Sequence, residues 1–134
     1  MFRNNGTSLT PSYVNLSNTT GQWDVSGSIM SLVDKNDVAT TISSTYAFYG
    51  MFSGLGIVDA SELELPATEL CSNCYNDMFK DCTSLTAAPA ELPATTTEEW
   101  CYGGMFYNCQ ALTASPYIKA QTMDGSNSAT GMFN

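Results

Sequence analysis

The most reactive side chains in this sequence are five cysteines, and Cys71 and Cys74, in "CSNC", have the C-x2-C spacing that lets a short turn hold zinc through two thiolates. A structural zinc needs two further ligands. No second C-x2-C follows, and the chain has no histidine. The missing imidazole also removes the commonest general base and the usual activator of a nucleophilic Ser or Cys. Glu62, Glu64, Glu69, Glu91, Glu98 and Glu99 are the other candidates. Two of them at the right separation would make an acid–base pair, and a cluster would bind calcium. Neither an EF-hand nor a repeat-type calcium pattern surrounds them. They fall at expected turns and helix starts, where capping and solubility account for them. The sequence therefore predicts no catalytic residue, no metal site and no cofactor. The cysteines need another explanation, and it comes from the elements that carry them.

Those elements repeat. Met51-Phe52, Met78-Phe79, Met105-Phe106 and Met132-Phe133 follow one another at a single constant step. Other columns keep the same phase without gaps: Val58, Leu85 and Leu112; Ala60, Ala87 and Ala114; Ala47, Cys74, Cys101 and Ser128; Leu55, Cys82 and Cys109. A period of about 20–29 residues with one short strand per unit is the length class of leucine-rich repeats. One unit cannot bury its own apolar side, so units stack and like side chains meet in a continuous core. The expected fold class is α/β, a leucine-rich-repeat solenoid of 27-residue units, each with a short parallel strand and a short helix.

Stacking gives the cysteines a role. One column takes Ala, Cys or Ser and needs something small. The other takes Leu or Cys and needs something apolar. Buried, unpaired thiols satisfy both. Neighbouring coils would lie ~4.8 Å apart, so Cys74–Cys101 or Cys82–Cys109 bridges are within Cα reach, although side chains stacked in parallel point the wrong way for them. Cys71 shares its column with Ser44, Glu98 and Gly125, a solvent pattern, and is the candidate for a reactive thiol.

Within a unit, Leu85 and Ala87 alternate with Ser84, Thr86 and Ala88 at strand spacing, and Pro89 and Pro93 end the strand. Thr95 and Thr96 then stand three residues before Glu98 and Glu99, the spacing of a capping box. Cys101, Met105 and Cys109 follow at i, i+4 and i+8 and predict one apolar face of a short helix. Residues 1–36 fit the period less well. Their alternation predicts a β-hairpin cap, with arms at Tyr13–Leu16 and Gln22–Ile29. Residues 37–134 form the repeat region of about three to four units. Its last unit breaks off at "GMFN", which reads as part of a longer array or an end covered by another chain. The start, "MFRNNGTSLT", lacks a stretch of signal-peptide type.

Two sets of residues are binding candidates. Asp59, Ser61, Thr86, Ala88, Thr113 and Ser115 lie between the expected core positions and would line the outer face of the parallel strands. Tyr49, Trp100 and Tyr107 stand in columns whose other members include Asn76, Gly103, Asn73, Asn127, Ser53 and Lys80, so these aromatics should face solvent. There they could stack on a sugar or anchor a protein interface. Plain solvation and packing against a neighbouring loop are the bland alternatives. Asn5, Asn15 and Asn18 each fit N-x-[ST], which chance explains in so Asn- and Thr-rich a stretch.

Only 13 % of residues are charged and the net charge is −9, which disfavours nucleic acid and anionic membranes. No apolar run approaches the ~20 residues that span a bilayer. The stretches "CYGGMFYNCQALTA" and "MFKDCTSLTAAPAELPAT" resemble the BspA-type leucine-rich repeats of bacterial surface proteins. The resemblance covers about residues 25–134 and departs at "SPYIKAQTMDGSNSAT", where Leu-Pro-Ala-Thr is replaced. It implies an extracellular or cell-surface location and adhesion to a protein or glycan. Similar arrays in bacteriophages imply the alternative of a virion component, a fibre or decoration subunit acting as spacer or host contact. It implies no enzymatic activity and transfers no binding residue. The expected partners are a protein or glycan on another surface, with neighbouring repeats or further copies of the chain beside it.

Overall fold

The computed structural model describes residues 21–34, 36, 38–120, 123 and 125–133. Within them the chain comes back on itself once per repeat, as Glu69 meets Thr96 and Phe106 meets Phe133. Two separate hydrogen-bond tracks hold each return.

The first track is made of short parallel strands. β1 (Trp23–Asp24) pairs with β3 (Ile57–Asp59), β2 (Gly27–Ser28) with β4 (Leu63–Glu64), and β5 (Glu91–Leu92) with β6 (Tyr117–Ile118). Isolated parallel bridges join Thr41 to Glu69, Asp59 to Ala87 and Glu69 to Thr96. β5 is confined between Pro89 and Pro93, neither of which has an N–H to donate. The strand expected around residues 84–88 shrinks to the bridge at Ala87. Register also slips on this side. Asp59 pairs with Ala87, a step longer than the repeat, whereas Glu91 pairs with Tyr117, a step shorter than it. The slip brings Ile57 rather than Val58 into the core, and Ala114 is exposed.

The first arm of the expected hairpin, Tyr13–Leu16, lies outside the described residues. The second arm supplies β1 and β2, and both run parallel to the following coil. A 3-10 helix (Ile29–Leu32) continues from β2, with the Ser28 hydroxyl accepting from the Met30 N–H at 3.2 Å as its cap. Ile29 and Met30 enter the same core as the repeats, so this lead-in packs as part of the stack.

The second track stands where short helices were expected. Among the described residues there is no α-helix. From Tyr46 to Leu55, alternate N–H groups close turns on carbonyls three residues back: Tyr49 on Tyr46, Met51 on Phe48, Ser53 on Gly50 and Leu55 on Phe52. The N–H groups between them reach the next coil. Tyr46 donates to Ser72, Phe48 to Cys74, Gly50 to Asn76, Phe52 to Met78 and Gly54 to Lys80, at 2.8–3.2 Å. The same alternation runs through Asn73–Cys82 and again from Trp100 onwards.

Such a ribbon needs a left-handed residue at every fourth position. Tyr46, Gly50 and Gly54 have φ of 60°, 57° and 72°; Asn73, Asp77 and Asp81 have 61°, 56° and 61°. Trp100, Gly104 and Asn108 follow at 57–58°, then Asn127 and Gly131 at 57° and 62°. Gly, Asn and Asp are the types that enter this region at least cost. The i, i+4, i+8 pattern of Cys101, Met105 and Cys109 is thus a four-residue period, close enough to the 3.6 of an α-helix to imitate it.

Between the tracks lies the core. Phe52, Phe79, Phe106 and Phe133 stack with centroids 5.2–5.4 Å apart, and Phe48, Tyr75 and Tyr102 at 5.8–6.0 Å. Met51, Met78, Met105 and Met132 are all buried, as are Leu85, Leu92 and Ala94 from the strand side. Each buried Phe or Met contributes about 1.5–3 kcal/mol. The contact between coils therefore outweighs anything one coil's turns supply alone.

Candidate functional site

The outward face of the turn track is interrupted by a groove of about 620 Å³ that crosses successive coils. Gly103 and Gly104 are among its lining residues, at the positions where earlier coils carry Tyr49 and Asn76, Gly50 and Asp77. Tyr46 and Tyr49 come to it from one coil, and Trp100 and Tyr107 from the coil two repeats further on. Asn73, Asn76, Asp77, Lys80, Glu99 and Thr130 supply the polar lining. Glycine is needed at both positions. A Cβ on Gly103 would come within 2.7 Å of Trp100 Cε3, because the indole lies across it. Gly104 has φ of +57°, and a Cβ there would collide with the Asp77 carboxylate.

Asp77 organises the polar side. Its Oδ2 accepts from the Tyr49 hydroxyl at 3.3 Å and from Lys80 Nζ at 3.4 Å. The Lys80 ammonium also lies 5.8 Å from the centroid of the Tyr107 ring, a cation–π distance. Burial, then the Asp77 carboxylate, push the Tyr49 phenol above its ordinary value and keep it a donor. Tyr46 meets Tyr49 edge-on at 5.7 Å, and Asn76 Nδ2 donates to Asn73 Oδ1 at 3.0 Å. Tyr46, Tyr49 and Tyr107 are thus each held by a named neighbour.

Two of the four aromatic residues stand in the left-handed region, Tyr46 at φ 60° and Trp100 at φ 58°. Asn73 and Asn127 occupy the same column cheaply. A larger side chain there costs roughly 1–2 kcal/mol. Residues held in such conformations concentrate at binding and catalytic sites.

The groove gathers Tyr49, Trp100 and Tyr107 from the sequence candidates and adds Tyr46, Asp77 and Lys80, which sequence reasoning left out. Tyr46 was findable, since it shares the Trp100 column. Asp77 and Lys80 become site residues only once adjacent coils are seen to bring them under Tyr49 and Tyr107.

Asp59, Ser61, Thr86, Ala88, Thr113 and Ser115 do not line the groove. Several of them serve the backbone. Thr86 Oγ1 donates to the Val58 carbonyl at 2.9 Å and Thr113 Oγ1 to the Thr86 carbonyl at 3.3 Å. Asp59 Oδ1 accepts from the Ser61 N–H at 2.7 Å, and that bond holds the carboxyl below its usual value. Of the glutamates, Glu69 accepts from Thr41 Oγ1 at 3.1 Å and Glu91 pairs with Lys119 at 2.8 Å. Among the described residues no three His, Cys, Asp or Glu side chains gather as a metal site.

The five cysteines are free thiols, four buried and Cys71 half-buried. Cys82 and Cys109 donate to the carbonyls of Phe52 and Phe79, each at 3.0 Å. Cys74 donates to the Cys71 carbonyl at 2.7 Å. Burial pushes Cys74 and Cys82 up to about 12, and Cys101 and Cys109 up to about 11. Such thiols are poor nucleophiles near neutral pH. Among the described residues no helix is long and apolar enough to cross a membrane. No family model, curated protein or solved structure matches the chain.

Proposed function

We propose that this chain is a non-enzymatic surface-recognition module of the leucine-rich-repeat solenoid class, and that it engages a protein or glycan through the groove on its turn side. Its resemblance to BspA-type repeats supports an extracellular or cell-surface setting. The observation that carries the reading is the pair of aromatic residues at left-handed positions, Tyr46 and Trp100. Stability alone favours Asn or Gly there, as at Asn73 and Asn127. The aromatic choice costs stability and gains exposed ring surface in a groove. Tyr, Trp, Asn and Gly together are also the residue types of adaptable recognition surfaces. Because each coil is bonded to the next, little remains to be ordered when a partner binds.

A second reading, a virion fibre or decoration subunit, is favoured by the near-parallel ring column Phe79–Phe106–Phe133, with interplanar angles of 5° and 7°. Unbroken stacking of that kind suits a rigid spacer.

Trp100→Asn and Tyr46→Asn separate binding from folding. Both install the residue type already used in that column, so the thermal midpoint should hold or rise. Capture on a printed array of glycans and extracellular proteins should fall about tenfold or more, the scale of a lost aromatic anchor. Variants that bind as the parent does would remove the groove from the binding face.

A further inference from the structure

We infer that the groove's ligand is an uncharged oligosaccharide, which rests on the groove being the binding face proposed above. Three features select this chemistry. The first is the state of the backbone. The N–H groups of Tyr46, Asn73, Trp100, Gly103 and Gly104 are all used, in turns or in bonds to the next coil. An extended peptide recognised by strand addition needs a row of open main-chain groups, and these five N–H groups are already taken.

The second feature is the alternation of ring faces with short polar groups. Trp100 lies over Gly103, and Tyr107 is 40 % and Tyr46 48 % exposed. Asn73, Asn76 and Asp77 lie between them. A sugar ring has the matching character, with C–H groups on its faces and hydroxyls at its edge. Its faces lie on the aromatics, while its hydroxyls donate to Asp77 and exchange hydrogen bonds with the two amides. The groove crosses four coils, so its length is three spacings, ~14 Å, suited to a short run of sugars rather than a single one.

The third feature is charge. Asp77 and Glu99 face the groove with Lys80 as the cation among its lining residues, and Lys80 is already engaged by Asp77 and Tyr107. The whole chain carries −9. A sialylated, uronate-bearing or phosphate-bearing glycan meets repulsion there, and the lining cation, Lys80, is already paired with Asp77.

The test uses the full chain against neutral gluco-, galacto- and N-acetylhexosamine oligosaccharides and against the same chains carrying sialic or uronic acid. Binding is followed by calorimetry and by the fluorescence of Trp100 in a Trp23→Phe background. The expected result is binding to one or more neutral chains, with a change in Trp100 emission. Trp100→Asn and Tyr107→Ser should weaken it about tenfold or more, while Thr86→Val on the strand side leaves it unchanged. Binding only to the acidic chains overturns the inference. So does binding to no sugar at all. A protein partner lost on Trp100→Asn overturns the sugar assignment but keeps the groove. Sugar binding that survives both groove variants overturns the groove itself.

Discussion

Tyr75 and Tyr102 sit fully in the ring column behind Phe48, and their hydroxyls find no hydrogen-bond partner among the described residues. A buried hydroxyl left unpaired costs about 1–3 kcal/mol. Tyr102→Phe is therefore expected to raise unfolding free energy by about 1 kcal/mol in urea titration, since Phe48 already shows that the column accepts a plain ring. A marked loss of stability would mean that the hydroxyl has a partner. The buried thiols give a pH dependence of definite sign. Their folded values, about 11 to 12, stand above the ordinary 9.0, so the folded state holds its protons more tightly. The stability this represents is fully present below about pH 9 and is lost as pH rises through the folded values. The phenols of Tyr75 and Tyr102, also raised by burial, act in the same direction at higher pH. Urea midpoints should be level up to about pH 8 and fall steadily towards about pH 11. In the native protein at neutral pH, a thiol reagent should react quickly with Cys71 and slowly with the other four.

At the scale of the element, the four-residue ribbon makes its own demands. Gly54 has φ of +72° and open space where a side chain would stand, so Gly54→Ala tests backbone strain alone. It should cost about 1–2 kcal/mol. Gly104→Ala adds a collision with Asp77 to the same strain and should cost more, read as a lower urea midpoint. Equal losses would show that Asp77 moves aside freely. The Met-Phe columns were legible in the sequence because stacked rings keep type and phase at every step. The ribbon was not. Apolar residues at i and i+4 fit a helix and this turn series alike. The deciding signal lay on the polar side, where Gly50, Gly54, Asn73, Asp77, Asp81, Gly104, Asn108, Asn127 and Gly131 recur every fourth residue within each coil. Taken as ordinary surface residues they say nothing; taken as left-handed positions they exclude a helix. The groove was half legible. Its rings could be picked from their columns, but the close approach of Trp100 to Gly103 and of Asp77 to Gly104 could not be read from any one column. Strand register was the least legible part, because the long step at Asp59 and the short step at Glu91 cancel and leave the overall period intact.

For the whole molecule, stability is shared along the stack, so one core lesion should propagate. Leu85 is fully buried, and Leu85→Asp places an unpaired carboxylate among apolar neighbours at a cost of several kcal/mol, about 3–5. Far-UV and near-UV signals should then be lost together. Leu112 is only partly buried, and Leu112→Asp should be milder. Thr86→Val removes one hydroxyl bond to Val58 and should cost about 0.5–1.5 kcal/mol. If Thr86→Val were as harmful as Leu85→Asp, the inside and outside of the strand side would be exchanged. The turn track also has a direction. Every N–H that leaves a coil there goes to the following one, and every carbonyl that receives it faces back. Those peptide dipoles add up instead of cancelling, as they do along a helix axis. The described stack is thus electrically polarised along this track, with its positive end towards the coil of Asn127 and Phe133.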